Sequence, residues 1–210
     1  MTLIDLTIPM ENGRIESCPG EPTGFFMPFA NIAEHGWASH QMLLYTHGGT
    51  HLDAPSHFIR NGHDVASLPL HAMMGPALVA NVTATDDEVF EREHVTFPRK
   101  PRAGDRVLLR TGWERRRNTL DYFTHSPHLG LELAHYLVEQ GIQLIGLDLP
   151  TPNRHQPQEI HQIILGAGIL LVEALTNLTK ISKPEGRLTC LPLPLVGLDG
   201  SPVRAIWVED

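Results

Sequence analysis

Residues 46–58, Thr-His-Gly-Gly-Thr-His-Leu-Asp-Ala-Pro-Ser-His-Phe, place three histidines and an aspartate within eleven positions. His47, His51, Asp53 and His57 all fall on odd positions, the spacing of one face of a strand. A straight strand over that span is about 33 Å long at roughly 3.3 Å per residue, too long for the four to meet. The chain therefore has to fold back here. Gly48-Gly49 permits the backbone angles for that, and Ala54-Pro55 interrupts any regular element. A lone histidine is ordinarily a surface or hydrogen-bonded core residue. Three with an aspartate in a bent segment read as a metal-binding loop, because imidazole and carboxylate ligate zinc, and imidazole also suits manganese, iron and nickel.

Elsewhere the pattern predicts a mixed α/β domain. Alternation and apolar runs predict strands at 3–8, 41–45, 75–82, 106–110, 142–149, 169–175, 188–195 and 203–208. An amphipathic helix is predicted at 131–138, closed by Gly141, and a short one at 159–165. A third is predicted at 86–92, with Thr85 as N-cap and Glu88 completing a capping box. Strand and helix alternate through the middle of the chain, which implies βαβ units and some parallel pairing in a mixed sheet. Proline and glycine predict an irregular arm at about 9–38. Within it Phe25, Phe26 and Met27 are candidate pocket or interface residues, or simply caps on the core. Residues 111–130 are polar and read as a lid or a surface loop.

A chain of 210 residues is long enough for one domain with a full core. Its net charge is −8, and Arg115-Arg116-Arg117 is an isolated run that reads as a solvated face, so nucleic acid is not an expected partner. The two cysteines, Cys18 and Cys190, make no CxxC pair, which excludes a thiolate zinc site. No basic leader with an apolar run opens the sequence and no apolar stretch reaches membrane length, so no membrane is expected and the expectation is a cytoplasmic protein.

Two later residues extend the metal reading. Glu173 lies inside the apolar run 169–175. A carboxylate buried there costs several kcal/mol unless it is paired or bound to metal; at a strand end it would reach solvent instead. His161 sits on the short helix before that strand, and the turn through Gly166 and Gly168 can bring the two together. Asp148, at the end of the run 144–149, is a candidate to orient a ligand or line the pocket. His47, His51, Asp53, His161 and Glu173 suffice for two metal ions sharing a carboxylate, with Asp53 central enough to bridge. His57 is then left beside the cluster as an acid/base, with an unperturbed pKa near neutrality.

The loop resembles the signature of the cyclase family of metal-dependent hydrolases, which includes bacterial kynurenine formamidase (arylformamidase). The signature H-x-G-T-H-x-D-x-P-x-H is met by His47, Gly49, Thr50, His51, Asp53, Pro55 and His57. His161 with Glu173 twelve residues on, in Glu-Ala-Leu-Thr-Asn-Leu, is a second match, and Gly-Leu-Asp-Gly-Ser-Pro-Val-Arg-Ala at 197–205 a third. The resemblance spans the chain. It implies a swivelling β/β/α domain and a homodimer or homotetramer. It also implies divalent metal, two zinc ions or manganese, held by the five ligands above, with His57 as acid/base. Where kynurenine formamidases carry Trp-Pro-Gly-Asp this chain has Cys18-Pro19-Gly20-Glu21, and Thr151 stands where they tend to have serine. Both segments are expected to line the substrate pocket.

The reaction so implied is hydrolysis of a C–N amide bond, in an aryl formamide such as N-formylkynurenine or in a related cyclic amide. Hydroxide generated at the metal attacks the carbonyl, and His57 moves the proton to the departing nitrogen. Two alternatives are open. His51 and Asp53 with a distant histidine have the form of a 2-His-1-carboxylate iron oxygenase, which leaves His47, His57 and Glu173 without a role. A non-catalytic, metal-stabilised binding protein leaves His57 without one.

Overall fold

The computed structural model describes residues 1–209. Its strands are β1 (Thr2–Asp5), β2 (Phe25–Ala30), β3 (Ser39–Leu43), β4 (His51–Asp53), β5 (Met74–Val82), β6 (Val89–Phe90), β7 (Val95–Thr96), β8 (Arg106–Arg110), β9 (His128–Leu129), β10 (Leu144–Leu147), β11 (Leu170–Glu173), β12 (Glu185–Pro192) and β13 (Gly200–Glu209). The helices are α1 (Ile32–His35), α2 (Leu70–Met73), α3 (Asp121–Thr124), α4 (Leu131–Glu139) and α5 (Pro157–Gly166). Among the described residues no helix is long and apolar enough to cross a membrane.

The main sheet runs β13-β12-β5-β8-β10-β11-β4, and β4 pairs again with β13, so these strands close into a ring. β5, β8, β10 and β11 are parallel, as the βαβ reading requires, while β12, β13 and β4 run antiparallel to their neighbours. Alternation along each strand divides the core in two. Leu52, Val79, Leu108, Leu144, Val172, Leu188 and Trp207 fill the inside of the ring. Leu78, Leu109, Ile145 and Leu171 face outward and pack under Leu133 and Leu137 of α4 and Ile160 and Ile164 of α5. This α/β order is not the all-β arrangement that the oxygenase alternative calls for.

That inside–outside division sets the site. Leu52 and Val172 point into the ring, so their neighbours His51, Asp53 and Glu173 point to the outer face, beneath α5. The β4–β11 register puts Glu173 opposite His51 and Leu171 opposite Asp53.

Three expectations change. Residues 86–92 form no α-helix, and Arg92 only opens a 3-10 turn, Arg92–His94. Thr85 does bond Glu88 through its backbone N–H and hydroxyl, but Asp87 takes a left-handed conformation (φ 61°), and Val89 and Phe90 then pair with β9. The arm is less irregular than its prolines suggest, because β2 and β3 form a hairpin with a register break between Pro28 and Ala30. Phe25 and Met27 lie exposed on it, about half of each accessible, and line no part of the histidine cavity. Residues 111–130 contain a short 3-10 turn, α3 and β9. There Arg117 is not merely solvated, since its guanidinium bonds Glu16 at 2.9 Å.

Candidate metal centre

Each ligand candidate is delivered by a different local device. His47 precedes the turn at Gly48-Gly49; His51 and Asp53 occupy β4; His57 ends the 3-10 turn Pro55–His57. His161 sits on the second turn of α5, and Glu173 closes β11. The chain thus folds back at both ends of β4, as the odd spacing required. All five proposed ligands are buried.

Asp53 and Glu173 lie at the centre. Asp53 Oδ1 is 2.8 Å from His47 Nδ1 and 3.5 Å from His51 Nε2, and its Oδ2 is 3.6 Å from His161 Nε2. Glu173 Oε2 is 3.5 Å from His51 Nε2, and its Oε1 is 3.3 Å from His161 Nε2. Each carboxylate thus spans His51 and His161, one oxygen to each. Asp53 Oδ2 is buried without a hydrogen-bond partner, which in a native interior calls for an ion or water to satisfy it.

The outer nitrogens are anchored. His51 Nδ1–H donates to the Gly49 carbonyl at 2.8 Å, and His161 Nδ1–H to the Pro157 carbonyl at 2.6 Å. His47 Nε2–H donates to Asp199 at 2.8 Å. In all three the other nitrogen faces the buried carboxylates, the arrangement that holds a ligating imidazole in one tautomer. Two acids and three oriented imidazoles, all N and O donors, fit a divalent ion of the zinc or manganese kind.

Electrostatics agree. Burial alone would penalise Asp53's charge, but His161 and His47 hold it well below the usual carboxylate range. Burial, reinforced by Asp53's charge, pushes Glu173 up. Despite burial, Asp53 and then Asp199 raise His47 to about 9, and Asp53 and Glu173 raise His161 to about 10. Without metal, the acids are balanced by protons on these rings.

His57 is half-buried at the cavity wall. Its ring stacks on His47 at 3.9 Å between centroids, and its Nδ1 is 3.3 Å from Asp199 Oδ2. Its ligand atom comes within 4.8 Å of those of Asp53 and His161, and of those of His47 and Asp199. Burial and the neighbouring His47 and His161 lower its pKa, against the pull of Asp53. A cavity of about 300 Å³ opens over the cluster, lined by Phe58, Tyr122, Phe123, Pro150 and Arg154, and by Cys18, Glu21 and Thr151 as the sequence predicted. Burial, then the charges of Glu173 and Glu21, pushes the Cys18 thiol up to about 12, so it is not a ready thiolate ligand.

Asp148 orients no histidine. It is fully buried, and its carboxylate accepts from Thr111 N–H and hydroxyl and from Gly112 N–H, at 2.6–3.1 Å. It pins the turn after β8. The residue that does orient His47 and His57 is Asp199. The sequence showed it inside the third family match at 197–205, between Gly197 and Gly200, but gave it no role. Gly200 faces Asp53 across the β4–β13 ladder, and a Cβ there would lie 2.9 Å from His47 Cε1.

A family model described as "Putative cyclase" matches residues 4–154. This chain belongs to the Cyclase family. It is 31% identical over 209 residues to the kynurenine formamidase of Bacillus thuringiensis subsp. konkukian (strain 97-27), covering 97% of this chain and 95% of that one. It is 35% identical over 196 residues to the kynurenine formamidase of Geobacillus thermodenitrificans (strain NG80-2), covering 89% and 88%. Isatin hydrolase A from Labrenzia aggregata, in a structure bound to benzyl benzoate, superposes with a TM-score of 0.84 at 27% identity, over 98% of this chain and 93% of that one. A structure titled as a potential metal-dependent hydrolase with cyclase activity shares the fold, with a TM-score of 0.78 at 23% identity over 100% and 99% of the two chains.

Proposed function

We propose that this cyclase-family chain is a metal-dependent amide hydrolase acting on an aryl formamide, N-formylkynurenine among them, or on a cyclic aryl amide. The observation that carries the reading is the buried pair Asp53 and Glu173. Each spans His51 and His161, and both lie at the floor of a cavity that His57 borders. His47, His51, Asp53, His161 and Glu173 are the metal ligands in this reading. Two zinc ions, or manganese, would suit the two-sided use of Asp53 and Glu173, each of which faces both His51 and His161. A bound ion of this kind supplies a Lewis acid and lowers the pKa of water from 15.7 to about 7.

The remaining chemistry belongs to the chain. Asp199 accepts from His57 Nδ1–H and leaves Nε2 free to take a proton from water. The lowered pKa keeps that ring neutral near pH 7, as a base requires. The same Nε2 then delivers the proton to the departing nitrogen, so the C–N bond breaks to an amine and a carboxylic acid. Phe58, whose ring stacks on His161 at 4.2 Å between centroids, and Phe123 give an aryl group apolar walls and exclude water. Relatives that are named kynurenine formamidase and isatin hydrolase support both substrate forms.

Phe29, Ile32, Trp37, Met42 and Leu43 leave apolar side chains exposed on and beside the β2–β3 hairpin. These side chains support assembly as a homodimer or homotetramer, which sedimentation velocity measures.

The test of function is metal content alongside anaerobic turnover of formamides, cyclic amides and esters. Hydrolysis without oxygen is expected. His57→Ala should keep its metal and lose roughly 10²–10⁴-fold in kcat. Metal lost in step with activity makes His57 a ligand instead, and bound metal with no turnover of any substrate rejects the hydrolase.

A further inference from the structure

Outside the catalytic cluster, three segments converge on the far side of Arg154. The turn at Asp87 is tied to the chain at 125, since Asp87 N–H donates to the His125 carbonyl at 3.0 Å. His128 N–H donates to the Glu88 carbonyl at 2.7 Å, and Leu129 N–H to the Pro152 carbonyl at 2.7 Å. This weave brings together the side chains of Asp87, His128 and His155, each with a ligand atom within 4.8 Å of the others.

The decisive residue is His128. Its side chain is wholly buried, and neither ring nitrogen has a hydrogen-bond partner. Buried polar groups are nearly always satisfied, so two orphaned nitrogens on one ring call for an explanation. The ring is aimed at the other two residues. His128 Nε2 is 4.0 Å from Asp87 Oδ1, and the His128 and His155 rings meet edge-on with centroids 4.5 Å apart. Burial, with the charges of Arg154 and His155, lowers the His128 pKa to about 4, so the ring is neutral and able to donate a lone pair.

Asp87 is held as a carboxylate. Its Oδ2 accepts from His125 Nδ1 at 2.8 Å, and its Oδ1 accepts from Arg154 Nη2. A carboxylate oxygen has two lone-pair directions, so Oδ1 can serve Arg154 and still ligate. Such outer donors fix a ligating carboxylate in place.

We propose that Asp87, His128 and His155 form a second, peripheral site for a divalent transition-metal ion, separate from the catalytic cluster. Two imidazoles and one carboxylate select a borderline ion, Zn²⁺ or its neighbours, over Mg²⁺ or Ca²⁺. The exposed His155 and Asp87 leave the remaining coordination positions to water.

The test uses the whole metal-replete protein with Zn²⁺ alone as the probe. Wild type, His155→Ala, Asp87→Asn and His128→Asn are equilibrated at one buffered level of free Zn²⁺ that saturates the wild type. Metal per chain and amide turnover are then measured together. The expected result is one ion fewer per chain in each variant, with turnover unchanged in His155→Ala; Asp87 also holds Arg154 of the substrate cavity, so Asp87→Asn is read by its metal content alone. This difference does not depend on how many ions the catalytic cluster holds or on its substrate. Equal metal content in wild type and His155→Ala overturns the proposal. So does loss of an ion together with turnover in His155→Ala, which assigns that ion to the catalytic cluster. His128→Asn alters a buried residue and can fail to fold, but His155 is exposed, so His155→Ala decides the matter alone.

Discussion

Removing metal with a chelator leaves the acids of the cluster to be balanced by protons, and this makes stability depend on pH in a direction the geometry dictates. His47 titrates at about 9 and His161 at about 10 in the folded, metal-free chain, while an unfolded histidine titrates near about 6.5. Both folded values are raised. Each shift therefore contributes stability that is complete below about pH 6.5 and is lost as pH climbs towards the folded value. The loss is at most about 1.36 kcal/mol per pH unit for each ring, hence about 2 kcal/mol each between about pH 7 and 8.5. The rings share Asp53, so their effects do not simply add, and a total of about 2–4 kcal/mol is expected. His128 at about 4 and Asp148 at about 6 have finished titrating below this window. Cys18 and Cys190, pushed up to about 12 by burial, add a smaller loss in the same direction at the upper edge of the range, where unfolded thiols ionise at about pH 8.5. The raised Glu173 acts in the same direction. Urea unfolding of chelator-stripped protein across this range, at constant ionic strength, measures the effect. A free energy of unfolding that stays level or rises from pH 7 to 8.5 refutes the reasoning. Zinc-replete protein supplies the contrast, because metal replaces those protons and binds more tightly as pH rises.

Other variants probe single contacts. Asp53→Ala should release all metal from the cluster; elemental analysis showing the wild-type content removes its bridging role. Glu173→Gln keeps the shape and drops the charge, so it should weaken zinc binding by more than the roughly 10–100-fold that losing an outer partner costs, with a circular dichroism spectrum like that of the wild type; equal zinc affinity means Glu173 is not a ligand. Gly200→Ala sets a methyl 2.9 Å from His47 Cε1 and 3.0 Å from the Leu52 carbonyl. The ladder carbonyl cannot move, so the imidazole shifts, at about 1–3 kcal/mol of stability and on the order of 10–100-fold in turnover; wild-type kinetics in this variant would mean that His47 is not held where β13 puts it.

The clustering of His47, His51, Asp53 and His57 was legible because they are concentrated in eleven residues, 47 to 57, and because odd spacing in a glycine- and proline-bent segment has few structural solutions. Glu173 was legible because a carboxylate inside an apolar strand needs a partner. The strand at His51–Asp53 was not, since Gly-Thr-His-Leu-Asp carries no local strand signal. Its conformation comes from pairing with β11 on one side and β13 on the other. The predicted helix at 86–92 failed for a related reason. Thr85 and Glu88 make the contact of a capping box, but pairing of Val89–Phe90 with β9 outweighs helix propensity. Asp199 was hidden because an acid beside glycines ordinarily marks a solvated turn. Its role depends on a contact with His47 across 152 residues of sequence.

The ring of strands also orders the assembly of the enzyme in time. β4 is made early and β13 last, yet β4 has its second neighbour only once Gly200–Pro202 has been added. On a ribosome, then, His47, His51 and His57 emerge long before the strand beneath them is held on both sides. A nascent chain cut short of residue 199 also lacks the acid that aligns His47 and His57. A chain that lacks β13 thus carries the candidate ligands without the strand and the acid that set their geometry.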